Sequence, residues 1–278
     1  MANNRPARRW RIHLALIVVC ALMACPAIYA LQVSTLNMTQ SYVAPAQLFP
    51  PGVSFTDNIA TLFGRLNFGQ LILNTALIAL VIVIGKTILA MLCGLAFVYF
   101  HFPGKWVLFF FVLLTLLLPT EIILIPLFNL VSELDWVQTS PRLVLTVPFI
   151  ATATGAFLFR QHFSNIPREL AEAAQIDGAT PVNFMFMVLV PMSWNIIGAH
   201  ALIQFIASWN SYLWPVLVLQ SSENQVIQVG VKNALGFGGQ TNFGVLMAAG
   251  IVASLPPLIL FVLMQRQFMN GFAISRDK

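Results

Sequence analysis

Two ionisable side chains stand where charge is expensive. Lys86 lies in the middle of the apolar stretch 71–99, and Glu121 follows Pro119 inside a second apolar stretch. A charge among so many apolar neighbours faces a polar partner or a wet cavity, and marks a functional position by default. Two uses compete. Lys86 and Glu121 could pair and lock two elements together, because buried charges need partners. Alternatively, Lys86 attracts an anionic phosphate while Glu121 meets hydroxyls or a cationic head group. Further along, His200, Gln204 and Ser208 recur at intervals of four, which places them on one helical face. Such a stripe lines a passage or hydrogen-bonds between helices. Trp209, Asn210, Tyr212 and Trp214 follow directly. The aromatic residues suit a membrane–water boundary, Trp214 above all, although aromatic rings also stack on sugars. No set for bond-breaking chemistry accompanies these residues. The chain lacks a Gly-Lys-Ser/Thr phosphate loop. His13, His101, His162 and His200 are scattered, without metal-ligand spacing. Neither a catalytic group, nor a metal, nor a cofactor bound by this chain is expected.

The elements that must position these side chains are membrane helices. Of 278 residues, 59% are hydrophobic and 8% charged, against about 25% charged in soluble domains. So little charge cannot cover a surface facing water. A span needs about 20 apolar residues, and six stretches qualify: 12–33, 71–99, 106–130, 142–160, 190–219 and 243–265. The expected fold is all-α, a polytopic membrane protein forming one transmembrane domain. Prolines at 26, 119, 126, 148, 215, 256 and 257 mark kinks that neighbouring helices can satisfy. Ten of the fourteen Lys and Arg residues flank the same ends of these stretches, from Arg5 to Arg11, at Lys105, Arg160 and Arg168, and from Arg266 to Lys278. The positive-inside rule then makes both termini cytoplasmic. This asymmetry also accounts for the net charge of +5 without invoking nucleic acid. Leu22 to Cys25 imitates a lipoprotein signal, but Pro26 follows and the apolar run continues to Val33, so the segment is expected to stay as a membrane anchor. Cys20, Cys25 and Cys93 lie in apolar runs and read as small hydrophobes.

One cytoplasmic loop carries a distinct signature. Residues 165–181 read NIPRELAEAAQIDGATP. Pro167 suits a first helical turn and Glu169 complements the positive end of the helix dipole. Leu170, Ala173 and Ala174 share a slim face. Gly178 can take the left-handed conformation that ends a helix, and Thr180-Pro181 caps and starts the next one. A helix lying on the membrane would be basic with large apolar anchors. This one carries Glu169, Glu172 and Asp177, which favours insertion into a groove of a partner protein.

Glu172-Ala173-Ala174, then Gly178, then Val188 to Pro191, resembles the EAA loop of ABC importer permeases; valines at 188 and 190 replace the usual Ile and Leu. Leu158 to Gln161, Trp209 to Pro215 and Met264 to Phe268 are similar to the maltose-permease-type subunits of carbohydrate importers. Leu118 to Glu121 and Gly85-Lys86 look most like the glycerol-phosphate-importing branch. The resemblance implies a type I ABC importer permease fold, with six transmembrane helices, in the bacterial inner membrane. It implies that 166–178 is a coupling helix, with Glu169, Glu172, Ala173, Ala174, Asp177 and Gly178 meeting an ATPase. Implied partners are a second permease subunit, two ATPase subunits that hold ATP and Mg, an extra-cytoplasmic solute-binding protein meeting loops 34–70 and 220–242, and membrane lipid. The tail from Gln267 to Lys278 is expected to touch the ATPase. Lys86, Glu121, His200, Gln204, Trp209 and Asn210 become candidates for the substrate pathway, the substrate being sn-glycerol-3-phosphate or a glycerophosphodiester. A neutral-sugar importer is the alternative within the class. An ion-coupled transporter or channel is the alternative outside it, and would call for repeated halves that the sequence does not display.

Overall fold

The computed structural model describes residues 5–43, 52–219, 221–236 and 242–273. Parts of the outer loops and of the tail expected to meet partners, at 44–51, 220, 237–241 and 274–278, lie outside these residues. All regular structure among the described residues is helical. In chain order the helices are α1 (Arg5–Ser34), α2 (Met38–Val43), α3 (Phe55–Arg65), α4 (Phe68–Tyr99), α5 (Lys105–Leu114), α6 (Thr120–Glu133), α7 (Trp136–Thr139) and α8 (Pro141–Thr146). They continue as α9 (Ala153–Phe163), α10 (Arg168–Ile176), α11 (Pro181–Phe184), α12 (Val190–Met192), α13 (Trp194–Trp209), α14 (Leu213–Val218), α15 (Ile227–Leu235) and α16 (Phe243–Ala273).

Three helices, in α1, α4 and α16, are long and apolar enough to cross a membrane. Three further candidates are bent pairs, so the described residues provide up to six spans. Each bend has a local cause. Pro119 disfavours the helical conformation at the preceding residue, and Leu118 is extended (φ −83°, ψ 119°). The chain accordingly turns by 102° between Lys105–Leu117 and Thr120–Glu133. Extended Thr152 interrupts the fourth candidate, with a bend of 41°. The fifth differs most from expectation. Instead of one helix over 190–219, the chain bends by 84° at Ser193, and regular α13 stops at Trp209. A π-helical turn, Met185–Leu189, precedes Pro191, where the missing N–H and the ring interrupt an α-helical ladder.

Two compact units are distinguished by their internal contacts. One comprises the chain up to Gly69 with Gly230–Leu255. Within it, the buried Asn58 amide donates to the carbonyls of Ser34 (2.9 Å) and Leu36 (3.0 Å), satisfying acceptors that the end of α1 leaves open. The other comprises Gln70–Val229 with Pro256 onward, and contains every candidate site residue. It has two apolar clusters. Phe159, Phe163, Ile166, Phe184, Met185 and Leu189 form one beneath the loop at α10. Val131, Val144, Leu145, Trp214, Val218 and Val226 form the other.

Candidate functional site

Lys86 projects from α4 toward α13, where its Nζ donates to Gln204 Oε1 at 2.7 Å. It does not pair with Glu121, whose carboxylate takes no partner among the described residues. Both side chains instead line one cavity of about 420 Å³, within the usual range for small-molecule sites of about 300–1,000 Å³. Glu121 reaches it because the break at Pro119 restarts the helix at Thr120, placing the carboxylate in the first turn of α6. Thr75, Thr120, Ser208, Asn210, Ser211 and Tyr212 add polar groups to the wall. Asn210 is held there by Gln228, whose Nε2 donates to its Oδ1 at 3.1 Å. A cation and an anion at one cavity, with hydroxyls and an amide around them, suit a small polar solute bearing an anionic group.

The remaining candidates are placed otherwise. Gln204 is buried behind Lys86 and orients it. His200 is buried with its ring edge-on to Phe159 (centroids 5.5 Å), and its Nε2 has no hydrogen-bond partner. Trp209 is fully buried and stacked on Phe205 (5.5 Å). Neither His200 nor Trp209 belongs to the cavity wall. Trp214 is not an interfacial residue: it is buried, donates from Nε1 to the Val144 carbonyl at 3.0 Å, and meets Phe149 edge-on. Its hydrogen bond is made inside the protein, which removes the reason to sit at the water boundary. Sequence reasoning missed Thr75 and the loop after Leu219. Thr75 Oγ1 accepts from the Ile227 amide at 2.8 Å, while Asn74 Nδ2 donates to the Glu223 and Gln225 carbonyls. These bonds fasten residues 223–227 to α4 and bring Val226 to the cavity. Partners some 150 residues apart leave no local signal.

The second candidate site is α10 and its flanks. The helix runs Arg168–Ile176, inside the expected 166–178. Gly178 has φ +72°. Its amide donates to the Gln175 carbonyl (3.0 Å) and that of Ala179 to Ala174 (2.9 Å), the paired bonds of a Schellman cap. Thr180 Oγ1 accepts from the Asn183 amide at 3.3 Å, starting α11 at Pro181. The small-residue face divides, however. Ala171 is buried and Ala174 half-buried against the apolar cluster, whereas Glu169, Glu172, Ala173 and Asp177 are exposed. Ile176 protrudes at 87% exposure, an apolar knob that the alanine pattern did not disclose. Tyr99 packs edge-on against Phe184 (5.0 Å), and its hydroxyl donates to the Phe163 carbonyl at 3.4 Å. The loop is thereby tied to the end of α4, the helix that carries Lys86.

Residues 86–272 match the family of binding-protein-dependent transport system inner membrane components. The chain belongs to this family. The sn-glycerol-3-phosphate transport system permease protein UgpE of Pectobacterium atrosepticum is 36% identical over 99% of each chain. Its counterpart in Agrobacterium fabrum is 35% identical over 98% of each. A solved bacterial ABC transporter involved in the import of the acidic polysaccharide alginate shares the fold, with TM-score 0.82, 22% identity and coverage of 96% of this chain and 99% of that one. For an inner membrane component, the exposed apolar side chains of α1 and α5, such as Leu22, Met23, Val107 and Phe111, need no water-facing explanation. They are the surface that a bilayer requires.

Proposed function

We propose that this permease, together with a second permease subunit, forms the inner-membrane pathway for sn-glycerol-3-phosphate or a glycerophosphodiester. The observation carrying this reading is the cavity in which Lys86, oriented by Gln204, stands with the unpartnered Glu121. Lys86 offers further N–H donors to a phosphate oxygen; Glu121, Ser208 and Asn210 offer partners for glycerol hydroxyls. The names of the UgpE relatives support the same substrate class. In this reading the termini and α10 are cytoplasmic, and two ATPase subunits receive the exposed side of α10 at Glu169, Glu172, Ala173, Asp177 and Gly178. Those subunits hold ATP and Mg. Their closure moves α10 and, through the Tyr99–Phe184 contact, α4. An extra-cytoplasmic solute-binding protein delivers the solute, a role consistent with the alginate transporter whose structure contains a periplasmic protein.

The test is ATP-driven uptake by the assembled transporter in proteoliposomes. Hydrogen bonds to charged groups contribute about 1.5–3 kcal/mol, so Lys86→Met should weaken apparent affinity for sn-glycerol-3-phosphate roughly 10- to 100-fold. Lys86→Arg should retain most of it. Unchanged uptake by Lys86→Met, or competition by a neutral disaccharide as strong as by a glycerophosphodiester, would remove the phosphate reading. Failure of tagged permease to bring down an ATPase would remove the importer reading.

A further inference from the structure

A separate concavity lies between the end of α4, the start of α5, the end of α9 and α10, with a volume of about 370 Å³. Its wall includes His101, Lys105, Trp106, Arg160, Arg168 and Glu172. Three side chains that are cationic at neutral pH thus share one cup with a single carboxylate. No salt bridge joins any of them to Glu172 or to another carboxylate among the described residues. Lys105 is within electrostatic reach of both guanidinium groups. Its Nζ donates only to the Phe100 carbonyl, at 2.9 Å, leaving two donors. Arg160 lies over the rings of Trp106 (5.0 Å) and Phe109 (4.5 Å). Those aromatic rings hold the guanidinium by cation–π attraction, and it makes no hydrogen bond to the described residues.

A charged side chain on an open surface is dispersed in water and explains itself. Here Arg160 is half-buried, Lys105 is partly covered, Arg168 and Glu172 stand exposed at the rim, and the cup holds like charges together. Trp106 both lines it and opens, at 65% exposure, the apolar face of α5 that continues through Val107, Phe110 and Phe111. The mouth therefore lies where the exposed apolar surface of α5 meets polar surface, as at a membrane boundary. Basic pockets at that level hold phosphate-bearing head groups, and planar guanidinium groups match phosphate oxygens in pairs.

We infer that this cup binds a phosphate-bearing anion, held by Lys105, Arg160 and Arg168, with a membrane phospholipid as its source. Because Arg168 and Glu172 belong to α10 while Lys105 and Arg160 belong to α5 and α9, an occupied cup joins the coupling helix to two other elements. Its consequence for transport, a lipid-dependent efficiency of coupling, rests on the role proposed above for α10; binding itself does not.

The experiment uses the complete transporter in nanodiscs of phosphatidylcholine, with or without phosphatidylglycerol. Native mass spectrometry reads retained lipid, and the fluorescence of Trp106, isolated by difference against Trp106→Phe, reads occupancy of the cup. Wild type should retain phosphatidylglycerol and shift the Trp106 signal. Lys105→Gln/Arg160→Gln/Arg168→Gln should lose both, and a several-fold stimulation of uptake by phosphatidylglycerol should disappear with them. Arg160→Lys, which keeps the charge, should retain the lipid partly, so that loss by misfolding is distinguishable. A parallel titration with inorganic phosphate in phosphatidylcholine alone, against chloride, separates the sources: a saturable shift there supports the anion site and assigns a free anion. No shift with either, or a signal that appears with permease subunits but vanishes when the ATPases are docked, overturns the inference. The latter result would make the cup a contact for acidic ATPase side chains. Should uptake fail to respond while binding persists, the coupling consequence falls and the site stands.

Discussion

Replacing Gly178 by alanine tests whether the loop works through one backbone conformation. A Cβ added at Gly178 would meet no atom within 4 Å, so the substitution introduces no clash. The remaining effect is the φ of +72°, which costs an L-residue roughly 1–2 kcal/mol. Two capping hydrogen bonds, Gly178 to Gln175 and Ala179 to Ala174, depend on that conformation. A penalty of about 1–2 kcal/mol lowers the ratio of correctly turned to misturned loop about 5- to 30-fold. Asparagine tolerates the left-handed region better than alanine, so Gly178→Asn should fall between wild type and Gly178→Ala. Gly178→Pro should be worst, because its φ is fixed near −65° and its N–H is gone. The assay is binding of the ATPase subunits to permease in detergent, followed by ATP-driven uptake from the same preparations. Retention on gel filtration separates a turned loop from an unfolded chain. Equal behaviour of the alanine and asparagine variants would refute the conformational argument, since a Cβ meets nothing within this chain and asparagine tolerates a positive φ better than alanine.

Other positions give independent checks. Trp214→Phe removes the donor to the Val144 carbonyl and should cost about 1–3 kcal/mol; the thermal unfolding midpoint in detergent should fall, and an unchanged midpoint would contradict its buried position. Gly155→Val places a Cβ 2.7 Å from that of Ala90 and 2.8 Å from His200 Cε1. Such overpacking costs about 1–3 kcal/mol, and Ala90→Gly should recover part of it in the same melting assay. Asn58→Ala leaves the Ser34 and Leu36 carbonyls without their donor, so amide exchange around residues 34–36 should accelerate; protection equal to wild type would show that water replaces the amide at no cost.

What could be read along the chain was whatever a few neighbouring residues decide. The loop that carries α10 is the clearest case. Pro167, Gly178 and the Thr180-Pro181 pair act within one helical turn, and α10 stops where those residues require. Lys86 and Glu121 also stood out, because charge in an apolar run is locally anomalous, and both reach the same cavity. Which group each would meet was not local. Gln204 is 118 residues from Lys86, and the helical spacing that placed it on a face with His200 and Ser208 could not say that it would orient the lysine while Ser208 faced the cavity. Trp214 shows the same limit from the opposite side: its aromatic type suggested a boundary, but the Val144 carbonyl, 70 residues away, brought it inside. Prolines announced irregularity without its size, since Pro26 remains within a continuous helix whereas Pro119 accompanies a 102° turn. Local chemistry thus specified where helices end and where charge is anomalous. Packing across the chain decided which anomalous groups face a cavity, and it is the cavity that turns a half-buried lysine into a candidate anion site.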